Sequence, residues 1–172
     1  MNARDGMLTT IAEGLVGGAI ATKVMDPITV FMYEHEDPAA RRREDEARAG
    51  EHVYDVAARR IDGALGLGLS AEARRRFGWA LHWGITLGAG VTYAWLRRRW
   101  PAARRLHGAA FGLGFEVLAD QVLVTALGLA ARPTAYPWQT HARGVVAHVA
   151  YGMTIETVLG ALDRVEARAL RR

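Results

Sequence analysis

The 172-residue chain has no cysteine, which excludes a disulfide framework and any thiolate metal site and leaves the redox compartment without a marker. Lysine is nearly absent as well. Lys23 is the only one, so the formal charge of +4, from 22 Lys+Arg against 18 Asp+Glu, rests on arginine. A basic balance of that origin follows an arginine-rich composition and gives no support to a nucleic-acid partner. The chain does not open on a basic stretch, a short apolar core and an A-x-A site, so no cleavable signal peptide is expected and the first apolar run is retained. A nucleophile elbow, a P-loop, an HExxH pair, the ExxH spacing of di-iron bundles and a CxxCH haem attachment are all missing. With them goes the sequence support for an enzyme.

What the chain has is segregation. Its mean hydropathy is neutral, yet its charges are bunched in "RRRED" (41–45), "RRRF" (74–77), "RRRWPAARR" (97–105) and "RVEARALRR" (164–172). Between the bunches lie four apolar stretches, 7–25, 77–96, 106–131 and 142–162. Each is long enough, or nearly so, to cross a hydrocarbon core that takes about 20 helical residues. The expectation is an all-α protein: a four-transmembrane-helix bundle, one membrane domain over 1–172, with an amphipathic, charged helical segment at 34–76 between helices 1 and 2. Asp26-Pro27 should kink or break the first helix, with "PITVFMYEH" as a continuation or an interfacial piece, because proline lacks the N–H and crowds the turn before it, while Asp26 can cap a restart. Residues 39–65 read as one surface helix, and Ser70 as the N-cap of the second span.

Every span carries small and polar residues at four-residue spacing, which is one helix face. The ridges are Thr10, Gly14, Gly18, Thr22, Asp26; then Gly78, His82, Thr86, Gly90, Ala94; then Gly108, Gly112, Glu116, Asp120; and Gly144, His148, Gly152, Glu156, Gly160. GxxxG occurs at Gly14/Gly18, Gly84/Gly88 and Gly108/Gly112, and small residues let membrane helices approach while polar ones bond across. A soluble bundle would instead show ridges of Leu, Ile and Phe.

Counted at about 1.5 Å per residue from the side of the first loop, Lys23, His82, Asp120 and His148 form an outer layer, and Glu13, Glu116 and Glu156 a deeper one. Buried carboxylates are costly unless protonated, paired or cation-bound, so the Glu layer is a candidate titrating site. The outer layer suits a hydrogen-bond network, a proton relay or a metal site. His82, His148 and Asp120 are the candidate ligands for zinc, iron or copper, and the two histidines for haem, although no cofactor is expected by default. In "YPWQTHARG", Tyr136 and Trp138 suit a headgroup belt, Pro137 the approach to a helix, and His141 with Arg143 the wet entrance. "EHEDP" (34–38) with His52 has metal-binding residue types but reads as an acidic, solvated turn.

The stretches "LHWGITLGAGVTYAWL", "WPAARRLHGAAFGLGFE", "LGLAARP", "YPW" and "AHVAYGMTIE", ahead of a basic "DRVEARALRR", resemble the YagU-like family of bacterial inner membrane proteins, whose activity is unassigned. The resemblance spans about residues 80–172. It implies a multi-pass inner membrane protein associated with acid tolerance, without a known cofactor, and marks His82, Pro137, Trp138, His148 and Glu156. That family's cysteine-bearing external loop is missing, and the charged 34–76 segment stands in its place.

The leading expectation is a polar membrane interior that binds or relays protons or a cation, with the bilayer, a homodimer or a larger membrane complex as partners. The basic 97–105 turn and basic tail put both termini in the cytoplasm by the positive-inside rule. The rivals are a non-catalytic scaffold or accessory subunit, and a haem- or metal-dependent redox protein.

Overall fold

The computed structural model describes residues 3–169, and every regular element among them is helical. In order these are α1 (Ala3–Glu34), α2 (Pro38–Arg48), α3 (Val53–Leu65) and α4 (Ala71–Arg99). After a turn at Pro101–Gly108 come α5 (Ala109–Phe115), a π-helical segment (Glu116–Leu123) and α6 (Val124–Ala126), which continue one another, and then α7 (Trp138–Ala169).

The expected break at Asp26-Pro27 is absent, since α1 passes through Pro27 to Glu34. Proline's missing N–H frees only the Lys23 carbonyl. On either side the Thr22 and Thr29 hydroxyls donate to the Gly18 and Met25 carbonyls at 2.8 and 3.1 Å, tying the neighbouring turns. The single surface helix expected over 39–65 is two. Ala49 and Gly50 take left-handed backbones (φ 51° and 75°) that end α2, and α3 restarts at Val53. The caps follow their residue types. Asp37 accepts the Ala39 N–H at 2.7 Å ahead of Pro38, and Ser70 accepts the Ala73 N–H at 3.2 Å to open α4.

α1 runs antiparallel to both α4 and α7, and α5 runs antiparallel to α7. The small-residue ridges are the contact surfaces. Gly14 and Gly18 meet Gly90 and Thr86, while Gly108 and Gly112 meet Gly152 and His148. A Cβ on Gly90 would run into the Gly14 carbonyl, and one on Gly112 into the His148 carbonyl, so backbones approach there as only glycine permits. Gly84 and Gly88 are the exception: both are exposed, and an added Cβ would meet no atom.

Tyr93, Tyr151, Ile155 and Leu159 fill the centre, with Phe111 and Phe115 packed on them. The polarity is otherwise inverted. Leu8, Val16, Phe31, Leu118 and Trp138 lie on the surface, while Glu13, Arg97, Glu116, Arg143 and Glu156 are buried. Three stretches, Gly6–Glu34, Pro101–Ala126 and Trp138–Ala169, are long and apolar enough to cross a membrane, where four were expected. The remaining long helix, α4, has the length, with 29 residues, but His82 and the tryptophans, glycines and threonines of its uncharged stretch 77–96 lower its hydropathy.

Candidate functional site

Two buried arginines sit near opposite ends of α7. Arg97, at the end of α4, is 2% exposed and lies between two carboxylates of α7. Its Nε and Nη2 donate to the two Glu156 oxygens at 3.0 and 3.2 Å, and Nη1 and Nη2 to those of Asp163 at 3.3 and 2.9 Å. The Tyr93 hydroxyl adds a bond to Glu156 at 2.7 Å. Next to it in sequence, Arg98 donates to Glu13 at 2.7 Å. At the other end Arg143, 3% exposed, donates to Glu36 at 2.5 Å and to both Glu44 oxygens at 2.6 Å, over the Tyr33 ring. Thr140 and Arg48 also bond Glu44. Arg143 was expected at a wet entrance. Instead it pins α1 and α2 to α7 from inside.

These pairings separate the three glutamates. Glu13 and Glu156 each have an arginine, at the α4–α5 turn. Glu116 lies against Gly144, near the other end of α7, so the single carboxylate layer is not formed. The depth count failed because three helix ends were misplaced: α1 runs to Glu34 and not 25, the third helix stops at Ala126 and not 131, and α7 starts at Trp138 and not 142. Glu116 is 2% exposed, and its one hydrogen-bond partner among the described residues is the Gln121 amide, which donates to Oε1 at 2.6 Å.

That bond exists because of the π segment. With i→i+5 spacing, Gln121 takes the place over Glu116 that Asp120 holds in the four-residue ridge, and Asp120 swings outward. The Asp120 carboxylate then stands 3.7 Å from Nε2 of His148. Nδ1 of His148 is 2.9 Å from the Gly144 carbonyl, which can only accept, so Nδ1 carries a proton and Nε2 faces Asp120. At that distance the two groups face each other without a hydrogen bond.

His82 belongs to a second pair, 3.5 Å from Asp26, in a hollow of about 360 Å³ that also holds Tyr54 and Trp79. Burial, with the charges of Asp120 and Asp26 nearby, pushes the Tyr54 hydroxyl above its usual range. His82, His148 and Asp120 are thus split between two His–Asp pairs. Among the described residues no group of three or more His, Asp or Glu side chains is arranged to hold a metal ion. Lys23 is exposed, its ammonium 5.2 Å from the Trp83 ring centre, and takes no place in the interior.

A cleft of about 450 Å³ lies between α2–α3 and the segment that joins α6 to α7, and reaches Asp120 and Gln121 past His52, Tyr136 and His141. His141 bonds the Pro133 carbonyl at 3.0 Å, Pro137 is buried and Trp138 is exposed. Arg60 closes one side, donating to the Leu127 and Gly128 carbonyls at 2.8 and 2.7 Å. Arg97, Asp163, Glu44 and Gln121 were not among the candidates, and Glu36 was read only as part of the solvated turn "EHEDP", whereas its carboxylate is buried on Arg143. A signal existed for two of them: Tyr93 and Arg97 are four apart, Glu156 and Asp163 seven, and each spacing is one helix face.

Fold and site together define an all-helical protein with an apolar exterior and ionisable groups paired inside. The chain belongs to the family described as "Protein of unknown function (DUF1440)", whose model matches residues 68–157, just over half its length. That stretch contains His82, Arg97, Glu116, Asp120, Arg143, His148 and Glu156. Neither a curated protein nor a solved structure matches the chain.

Proposed function

We propose that the chain spans a bacterial inner membrane with four helices and holds an exchangeable proton, or a cation in its place, on Glu116 and the Asp120–His148 pair. Access is from the cleft beneath α2 and α3. The observation that carries this is the contrast among buried carboxylates. Glu13, Glu36, Glu44 and Glu156 each have an arginine, whereas Glu116 has an amide, and a buried carboxylate without a cation must be neutralised by one.

The inverted polarity supports the membrane. So do the exposed tryptophans: Trp79 at the His82 hollow and Trp138 at the start of α7, Trp95 and Trp100 near the α4–α5 turn, with Trp79 and Trp95 about 24 Å apart along α4. That separation approaches the thickness of a hydrocarbon core and argues for α4 as the fourth span, since 77–96 contains no Asp, Glu, Lys or Arg. The resemblance to YagU-like proteins supports the inner membrane and a part in acid stress. A scaffold role is the second reading, favoured by the arginine clamps at both ends of α7, which tie helices together without exchanging anything.

Proteoliposomes holding a pH-sensitive dye decide between them. The native protein should dissipate an imposed pH gradient, and Glu116→Gln and Asp120→Asn should lower the rate to that of protein-free vesicles. A native protein that leaks no faster than empty vesicles, or a folded Glu116→Gln that leaks like the native one, leaves the scaffold reading.

A further inference from the structure

α4 and α5 face each other without closing. Ile85, Thr92 and Leu96 on one side, and Phe111, Gly114 and Leu118 on the other, line an open groove of about 490 Å³. Its walls carry no charge, and the Thr92 hydroxyl is turned back onto the Gly88 carbonyl at 2.8 Å. One end of the groove opens at the arginine-rich turn, because Leu96 leads directly into Arg97–Arg99 and Arg104–Arg105 precede Phe111.

The arginines of that turn are not equivalent. Arg97 and Arg98 are held by Glu156 and Glu13, and Arg104 lies 3.9 Å from Asp163. Arg99 and Arg105 are exposed and have no acidic partner among the described residues. Trp95 and Trp100, edge to face at 5.6 Å and both half exposed, mark the same level.

Length selects the occupant. From Ile85 to Leu96 the groove runs about 16 Å along α4, close to half of a hydrocarbon core about 30 Å thick. An acyl chain of one leaflet fills that length. A helix from a second copy has to cross both leaflets and would leave half of itself off the groove. The free charge at the open end is positive, and basic pockets between membrane helices take acidic headgroups. We propose that this groove binds one chain of an anionic phospholipid, with the lipid phosphate on Arg99 and Arg105. The site is separate from Glu116 and stands whether or not that residue carries protons.

Native mass spectrometry of the full chain, purified in a mild non-ionic detergent and mixed with phosphatidylglycerol or phosphatidylcholine of matched chains, tests it. Phosphatidylglycerol should be retained and phosphatidylcholine lost. Removing both guanidinium groups in the R99A/R105A variant should weaken retention roughly 30-fold, at about fivefold per arginine. Gly114→Leu should abolish it by filling the groove, and it should leave melting unchanged because an added Cβ there meets no atom. Equal retention of both lipids, retention unaffected by either variant, or a second protein chain retained in place of lipid overturns the proposal. So does loss in the arginine variant alone, which would leave a headgroup site without a groove.

Discussion

Glu116 and Glu156 are the same residue type, both buried, and their surroundings give them opposite work. Glu156 is saturated by Arg97 and Tyr93, and its charge holds α7 to α4. Truncating Arg97 to alanine should cost about 3–5 kcal/mol, because it leaves a buried carboxylate unpaired, and should show as a large fall in melting temperature in detergent. Replacing Arg97 and Glu156 together with methionine should recover most of that loss. An Arg97→Ala protein that melts like the native one would show that the pair is solvated in the protein as purified. Glu116→Gln should melt no lower than the native protein, since it removes a charge that has no basic partner. That these carboxylates are buried was legible from their spacing, because each lies on a glycine ridge. Their partners were not. An arginine cluster at the end of a span reads as a topology signal, and nothing in "RRR" says that the first is buried, the second paired and the third without an acidic partner among the described residues.

At the level of elements, the ridges were the most legible feature, because close approach of backbones demands glycine and the demand is written at every fourth residue. Gly112→Ala should push a methyl into the His148 carbonyl and cost about 1–3 kcal/mol as α5 is forced off α7, whereas Gly84→Ala meets open space and should change little. Thermal melts of the two variants side by side check this, and equal losses would mean that the ridge is not the contact. What the ridges hid is the π segment. A period read at four residues places Asp120 over Glu116, and the i→i+5 turn substitutes Gln121. No residue in "EVLADQVL" announces that change. The split between α2 and α3 was half legible: Gly50 is an ordinary helix stop, whereas Ala49 takes a left-handed backbone that its side chain does not advertise.

For the whole molecule, the question is whether α4 crosses, since three helices qualify by composition and a fourth only by length and surroundings. The two possibilities differ in parity. With four crossings the α2–α3 segment and the end of α7 lie on opposite sides of the membrane, and with three they lie on the same side. The absence of cysteine makes this directly measurable, because any introduced thiol is the only one in the chain. Arg42→Cys in α2 and Glu166→Cys near the end of α7 are both at exposed positions. In intact cells a membrane-impermeant maleimide should label the cysteine at 42 and spare that at 166 until the cells are lysed. That outcome puts the cleft, with His52 and His141 on its rim, toward the outside, and the turn with Arg99 and Arg105 toward the cytoplasm, as the positive-inside rule requires for the shorter basic connection. Labelling of both positions from one side would remove α4 as a span. Glu116 would still be buried, but α2–α3 and the segment after α6, which together wall the cleft, would then fall on opposite sides of the membrane, and the cleft could not form as the structure has it.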